Sequence, residues 1–585
     1  TNGPTVRRIN TLTPIADPVD RSAHNRTRAI FDLGQNMTGR VRFRGSAPAG
    51  TTVTLRFAEM LNPDGSLYTA NLRTARATDT YTFKGEGEET WEPRFTFHGF
   101  RYVELEGYPG EVTRDTITGV VLHSDMSPTG HFECSDPLLN QLQHNIVWSQ
   151  KGNFVDVPTD CPQRDERLGW TGDIQVFVRT AAFNMDIAGF MTKWAQAVAD
   201  AQDEQGRIPP VAPRMPTTVL DDGGPAWADA AIICPWTIYL CYGDWRILAD
   251  NYATMQKFMA FIVNASPGYI RCAPEYEGWT GFGDWLAINA DTPRDLIGTA
   301  FLAYDASLMA QIAAILGKRR EAASYRRLFA EVKAAFGARY LKGGPQPATP
   351  PDGPILSGVF NTDLFTPTQT AYVLALHFDL LPEPLRPLAV AELAADIERR
   401  DWHLSTGFVG TPYLPHVLSD NGRLDLAYAL LHQKTWPSWL YPVTHGATTI
   451  WERWDGWTEE NGFQDPSMNS FNHYAYGSIG AWLYAAVAGI EPDPLRPGYQ
   501  HIILRPQPGG GLSRACGRLQ TLYGELVSEW TLEDGVFEWT VVVPPNTTAT
   551  VHLPVKEERP ITLNGQATTG LVHEVAAGRH RFVVG

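Results

Sequence analysis

The densest run of reactive side chains is Asp160-Cys161-Pro162-Gln163-Arg164-Asp165-Glu166-Arg167-Leu168-Gly169-Trp170-Thr171-Gly172-Asp173, with four carboxylates, two arginines and a tryptophan in fourteen residues. An apolar indole beside one carboxyl raises its proton affinity, while arginine keeps its neighbours ionised. General acid catalysis asks for that separation of roles. The same composition also suits a charged loop that ties helix ends together with ion pairs. A second set is Thr449-Ile450-Trp451-Glu452-Arg453-Trp454-Asp455-Gly456-Trp457, followed by a polar stretch that ends at Asn472-His473. A glutamate walled by indoles is a candidate base or sugar ligand; the plainer reading is a loop whose tryptophans pack on a rim. Glycosidases need two carboxylates, which distant segments can supply.

Other chemistries lack support. The chain shows no HExxH, P-loop, GxGxxG after a strand or GxSxG elbow. Its 585 residues carry 48 basic against 64 acidic side chains, a net charge of −16. That sign disfavours nucleic acid and anionic membranes as partners. The apolar runs near 230–242 and 480–490 are too short to span a bilayer. The six cysteines are scattered without a CxxC pair, so neither a zinc site nor a dense disulfide framework is expected. The 18 tryptophans suit carbohydrate binding, because sugar C–H faces stack on indoles. A soluble chain is expected, with its compartment, cytoplasmic or periplasmic, left open.

Periodicity divides the chain in three. From about Ile30 to His123, short alternating segments such as Thr52-Val53-Thr54-Leu55-Arg56-Phe57 predict antiparallel strands. The first residues, 1–26, read as an irregular polar arm. From about Ser135 the period turns helical, with Asp136-Pro137 as a helix start and Leu138, Leu142, Ile146 and Ser149 on one face. Further helices are predicted near 173–202, 225–247, 251–264, 294–316, 319–338, 366–376, 385–400, 424–432 and 474–489. Helical hairpins without a fixed repeat favour an (α/α) toroid whose loops at one end build the site. After Pro494 strands return. The expected organisation is an arm (1–26), an N-terminal β-sandwich (27–126), a helical barrel (127–493) and a C-terminal β-sandwich (494–585).

The fourteen-residue run resembles the signature of glycoside hydrolase family 78, the α-L-rhamnosidases. Phe95-Thr96-Phe97-His98-Gly99-Phe100-Arg101-Tyr102 is similar to the end of that family's sandwich, and Gly498-Tyr499-Gln500-His501-Ile502 to the entry of its C-terminal one. The resemblance covers most of the chain. It implies an (α/α)6 catalytic barrel flanked by antiparallel β-sandwich domains, and hydrolysis of terminal α-L-rhamnosides with inversion. Glu166 then matches the general acid and Glu452 the general base that activates water. Asp160, Arg164 and Asp173 match partners of the rhamnose hydroxyls, with Trp170 in the same pocket and His473 as a sugar-contacting histidine. Trp227 and Trp285 look like the aromatic walls, with Trp279 competing for the second place. Many relatives carry extra N-terminal modules that hold calcium; with one clear N-terminal sandwich here, no metal and no cofactor are expected. The alternatives are an inverting (α/α)6 exo-glycosidase for another terminal sugar and a catalytically silent carbohydrate-binding protein.

Overall fold

A computed structural model describes residues 3–22, 27–215, 223–274, 280–342, 357–555 and 559–585. The N-terminal module is a sheet built around the long strand Arg28–Gly45. Its first half pairs with Glu106–Tyr102, and its register shifts between Asp32 and Met37. Farther along, Phe43 lies opposite both Ile117 and Trp91, so one bent strand serves several partners. Phe31, Phe43, Phe57, Val103 and Phe100 fill the core between its faces. The opening stretch, expected to be irregular, instead supplies the edge strand Val6–Leu12, antiparallel to Ile117–Ser124. Its side chains are mostly exposed, so no apolar alternation announced it.

The helical part runs through α1 (Pro137–Asn153), α2 (Thr171–Asn184), α3 (Ala188–Ala201), α4 (Ala230–Tyr242), α5 (Trp245–Asn264) and α6 (Arg294–Ile315). It continues through α7 (Arg319–Tyr340), α8 (Gln369–His377), α9 (Arg386–Arg399), α10 (Leu414–Asp420), α11 (Leu424–His432), α12 (Leu440–Thr444) and α13 (Ile479–Trp482). Asp136 caps α1 by accepting from Leu138 N at 2.8 Å, with Pro137 in the first turn, as the sequence predicts. The stretch 173–202 is two helices, broken where Met185 turns extended. The break expected near 248–250 falls at Gly243, whose left-handed conformation ends α4. The short helices α10 and α12 escaped the periodicity, because seven or five residues hold too few turns to show a stripe.

Among the described residues α2, α4, α6, α8, α10 and α13 each touch the next, and α13 returns to α2, which closes an inner ring. α4, α6 and α8 are buried nearly all round, as inner helices must be. α7 shows the outer pattern, with one buried stripe of Ala322, Val332, Phe336 and Tyr340. α6 is long and apolar enough to cross a membrane by composition, but 83% of that stretch is buried inside the molecule. The expected class, a helical-hairpin barrel between two sheet modules, is the one observed.

The C-terminal sheet carries one parallel pair, His501–Leu504 against Thr548–Val551, where only antiparallel pairing was expected. It also recruits Gly130–Cys134, from the stretch assigned to the barrel, beside Arg514–Thr521. Trp530 fastens the sheet to the end of the ring, donating its indole N–H to Val487 O at 2.8 Å from a fully buried position. We predict that Trp530→Ala destabilises the chain by about 3–5 kcal/mol, through a cavity and an orphaned carbonyl. Trp530→Phe should cost roughly 1–3 kcal/mol. Guanidinium unfolding midpoints of both variants would check that order.

Candidate active site

The site lies where the inner helices begin. The 160–170 loop leads into α2, Trp227 precedes α4, Phe282 and Trp285 precede α6, Phe408 precedes α10, and Glu452 and His473 precede α13. Five connections thus converge on the end of the ring that bears helix N-termini, where unpaired N–H groups favour negative charge. They line one cleft. All nine residues drawn from the sequence, Asp160, Arg164, Glu166, Trp170, Asp173, Trp227, Trp285, Glu452 and His473, line it. Trp279 lies outside the described residues.

Local bonds shape each wall. The 160–168 loop closes on itself, with Asp160 N donating to Leu168 O and Leu168 N to Asp160 Oδ1, both at 3.0 Å. The 450–452 and 470–473 segments are tied by Glu452 N to Ser470 O and His473 N to Ile450 O, each 2.9 Å. Ser149 Oγ, the polar end of the α1 stripe, accepts from Ile450 N at 2.8 Å. Gly172 admits the Trp227 indole against α2, because a Cβ there would stand 2.4 Å from that ring. The buried Asp284 carboxylate accepts from the N–H groups of Gly407, Val409 and Gly410 at 2.8, 2.9 and 3.2 Å. It thereby locks the loop of Phe282 and Trp285 to that of Phe408.

At the floor, the Arg164 guanidinium is 1% exposed. Its terminal nitrogens grip Glu452 bidentately at 2.9 and 3.2 Å, and Nη2 also reaches Asp160 at 3.5 Å. Its Nε stands 3.0 Å from Glu166. Glu166 Oε1 accepts from the Trp170 indole at 2.9 Å, and His473 Nε2 meets Asp173 Oδ1 at 2.7 Å. Burial works against charge on Glu452, but Arg164 and then His473 outweigh it and hold the carboxyl below its ordinary range. Burial, followed by the charge of Glu166, pushes Asp160 up to about 7. Burial raises Asp173 too. Burial also opposes charge on His473, but Glu452 and the bond to Asp173 prevail and lift it to about 9. Four carboxylates therefore face two cations, in a chamber suited to a developing positive charge.

Asp160, Cys161 and Glu166 offer three potential metal-ligand atoms within 4.8 Å of one another. That donor set fits a cation poorly. Burial keeps the Cys161 thiol protonated, its Sγ donates to Asp160 at 2.8 Å, and the Arg164 charge already lies against both carboxylates.

The sequence did not single out Phe282, Phe408 and Met468, which complete the lining. Phe282 sits among Trp170, Trp227 and Trp285, with ring centroids 5.6, 4.7 and 5.9 Å away. A usable signal was present: Phe282 lies between glycines, as Gly281-Phe282-Gly283, and Phe408 follows one in Gly407-Phe408-Val409-Gly410. The tryptophans flanking Glu452 do not wall it. Trp454 stacks on Tyr476 at 3.8 Å and Trp451 packs edge-on to Phe471 at 5.1 Å, so that motif divides between packing and the cleft.

Known proteins place this arrangement. Residues 127–487 match the model of the bacterial alpha-L-rhamnosidase 6 hairpin glycosidase domain. Residues 22–123 match that family's concanavalin-like domain and 489–568 its C-terminal domain. Fold and site thus define a six-hairpin glycosidase architecture between two sheet modules. The chain belongs to the bacterial α-L-rhamnosidase family. It is 48% identical over 560 residues to an alpha-L-rhamnosidase of Streptomyces avermitilis, covering 95% of this chain and 52% of that protein. A second alpha-L-rhamnosidase, from Formosa agariphila, is 43% identical over 92% of this chain and 57% of its own length. The crystal structure of the Streptomyces avermitilis alpha-L-rhamnosidase complexed with L-rhamnose superposes with a TM-score of 0.90 at 46% identity, over 100% of this chain and 54% of that one. That of Dictyoglumus thermophilum also scores 0.90, at 34% identity over 100% and 64%. The chain spans about half the length of the curated relatives it matches.

A group whose pKa is higher folded than unfolded stabilises the fold while it is protonated there and ceases to as it loses the proton. The contribution of His473 is therefore complete below its ordinary value of 6.5 and lost as pH climbs through about 9. Asp160 acts in the same direction, losing its contribution from 3.8 up through about 7. The thermal midpoint should fall as pH rises from about 7 to 9.5, and His473→Gln should flatten that decline. Scanning calorimetry at stepped pH would check it; an unchanged slope in the variant would remove His473 as its source.

Proposed function

We propose that the chain hydrolyses terminal α-L-rhamnosides with inversion, Glu166 serving as general acid and Glu452 as general base. The observation that carries this reading is the meeting of the two glutamates on different edges of one buried guanidinium, inside an aromatic-walled cleft. Glu452, held ionised, takes a proton from the attacking water. Glu166 gives a proton to the glycosidic oxygen as the bond to the anomeric carbon breaks. The developing oxocarbenium charge is met by the surrounding carboxylates.

Substrate recognition follows from the lining. Rhamnose is a 6-deoxy sugar whose methyl group calls for an apolar surface, which Phe282, Phe408 and Met468 provide beside the tryptophans. Its hydroxyls call for charged partners, which Asp160, Arg164, Asp173 and His473 provide. The named relatives, and the one crystallised with L-rhamnose, support the same sugar.

Release of nitrophenol from p-nitrophenyl α-L-rhamnopyranoside by the wild type, with about a hundredfold or greater loss in Glu452→Gln, is expected. Glu166→Gln should lose about as much on a rhamnosyl disaccharide but far less on the nitrophenyl glycoside, whose leaving group departs without a proton. Proton NMR of the first-formed sugar should show the β anomer. Release of α-rhamnose first would overturn inversion, and no turnover of any α-L-rhamnoside would overturn the reading.

A further inference from the structure

Every site residue considered so far comes from the helical ring, yet one contact on Glu166 comes from elsewhere. Arg73, in the N-terminal sheet module, donates from Nη2 to Glu166 Oε2 at 2.8 Å. Its Nε donates to Asp165 Oδ1 at 2.7 Å, and Thr74 binds the other oxygen of Asp165 through its hydroxyl. Arg73 follows the short turn Ala70–Leu72 with a φ of 55°, a positive-φ conformation that is strained for a non-glycine residue. The turn is wedged between modules: the fully buried Asn71 donates to Glu59 Oε2 at 3.0 Å and to Asn469 O at 3.2 Å. Met468, next in the chain, lines the cleft. A strained backbone on a wedged support, with the guanidinium aimed at two adjacent carboxylates, holds Arg73 in one place.

We infer that Arg73 is a positioning residue for the acid, supplied to the site by the N-terminal module. This inference rests on the assignment of Glu166 as general acid. Arg73 and Arg164 Nε both stand on Oε2, at 2.8 and 3.0 Å, while among the described residues Oε1 accepts a hydrogen bond from the neutral Trp170 indole. Two cations on one oxygen make it the ionic end of the carboxyl and leave Oε1 to carry the transferable proton. When that proton passes to the glycosidic oxygen, the carbon–oxygen bond breaks and the leaving group departs as a neutral alcohol. Glu166 is left as a carboxylate, and Arg73 stabilises the charge as it forms. Such an interaction is stronger in the transition state than before it, so it lowers the barrier only where proton donation is needed. The exposed flank of Arg73, 27% accessible, keeps the benefit moderate through solvent screening.

The test compares Arg73→Ala, Arg73→Lys and Asp165→Asn on a rhamnosyl disaccharide and on p-nitrophenyl α-L-rhamnopyranoside, with Glu166→Gln beside them. For Arg73→Ala, kcat/KM should fall about tenfold or more on the disaccharide and less than about threefold on the nitrophenyl glycoside. Arg73→Lys, which keeps the charge, should recover most of that loss. Asp165→Asn, which frees the other end of the arginine, should lose less in the same pattern. Equal losses on both substrates, or none on the disaccharide, would overturn the inference, as would Arg73→Lys behaving like Arg73→Ala. Should Arg73→Ala fail to fold, Asp165→Asn still decides through the same substrate contrast, its absence overturning the inference. If Glu166→Gln itself lacks that contrast, the acid assignment and the inference fall together. If Glu166→Gln shows it and neither Arg73→Ala nor Asp165→Asn does, the inference falls alone.

Discussion

The rest of the site hangs on one buried guanidinium. A charge removed from water is costly unless it is paired, and Arg164 is paired with three carboxylates at once. Asp160 and Glu166 come from its own loop, but Glu452 comes from the far end of the helical ring. The 160–170 and 450–473 loops must therefore lie side by side. They do so because α13 closes the ring against α2, so the first and last inner helices are neighbours. The clamp and the closure support each other: a ring opened at that seam would strand a buried arginine and a buried glutamate.

The clamp also sorts the carboxylates by charge. Bidentate pairing keeps Glu452 ionised despite full burial, while Asp160, which Arg164 reaches only at 3.5 Å, is pushed up to about 7. Chemically similar groups in one cleft acquire different proton affinities because they share one cation unequally. The aromatic walls stand on a second tier of buried polar contacts. Asp284 joins two of them through backbone N–H groups. Asp229 steadies a third: it accepts from Ala226 N beside Trp227 and is paired with Arg271 at 2.6 Å.

The N-terminal module is fastened to the ring by groups too deep to be incidental. Burial raises Glu59 to about 7, and its carboxyl is spanned by Asn36, Asn71 and the backbone N–H of Phe471. Phe471 lies two residues from His473, so the seam between modules runs directly behind that wall of the cleft. The C-terminal sheet grips the other end of the same inner segment through Trp530 and Ser528. Both flanking modules thus brace the run from 471 to 488, which carries a cleft residue at one end and closes the ring along its length.

Periodicity was enough to read a helical ring between two strand-rich modules, and two motifs held Asp160, Arg164, Glu166, Trp170, Asp173 and Glu452 of the cleft; Trp227, Trp285 and the place of His473 came from the family resemblance. The motif residues were legible because chemistry and local structure leave marks on adjacent residues: Asp136-Pro137 starts α1, and the fourteen-residue run keeps Asp160, Arg164, Glu166 and Trp170 in one loop. The strand Val6–Leu12 was hidden because an exposed edge needs no apolar alternation. The parallel pairing of His501–Leu504 was hidden because alternation does not encode direction. Indoles next to Glu452 in sequence pack away from it, while Phe282 and Phe408, from distant loops, form the wall. Arg73 carries no local mark at all, since its role depends on a turn wedged between modules. The sequence by itself determined which residue types could do the chemistry and which segments bear them. Only the tertiary structure decided which carboxylates share the buried arginine, because pairing and burial are properties of space and not of neighbours along the chain.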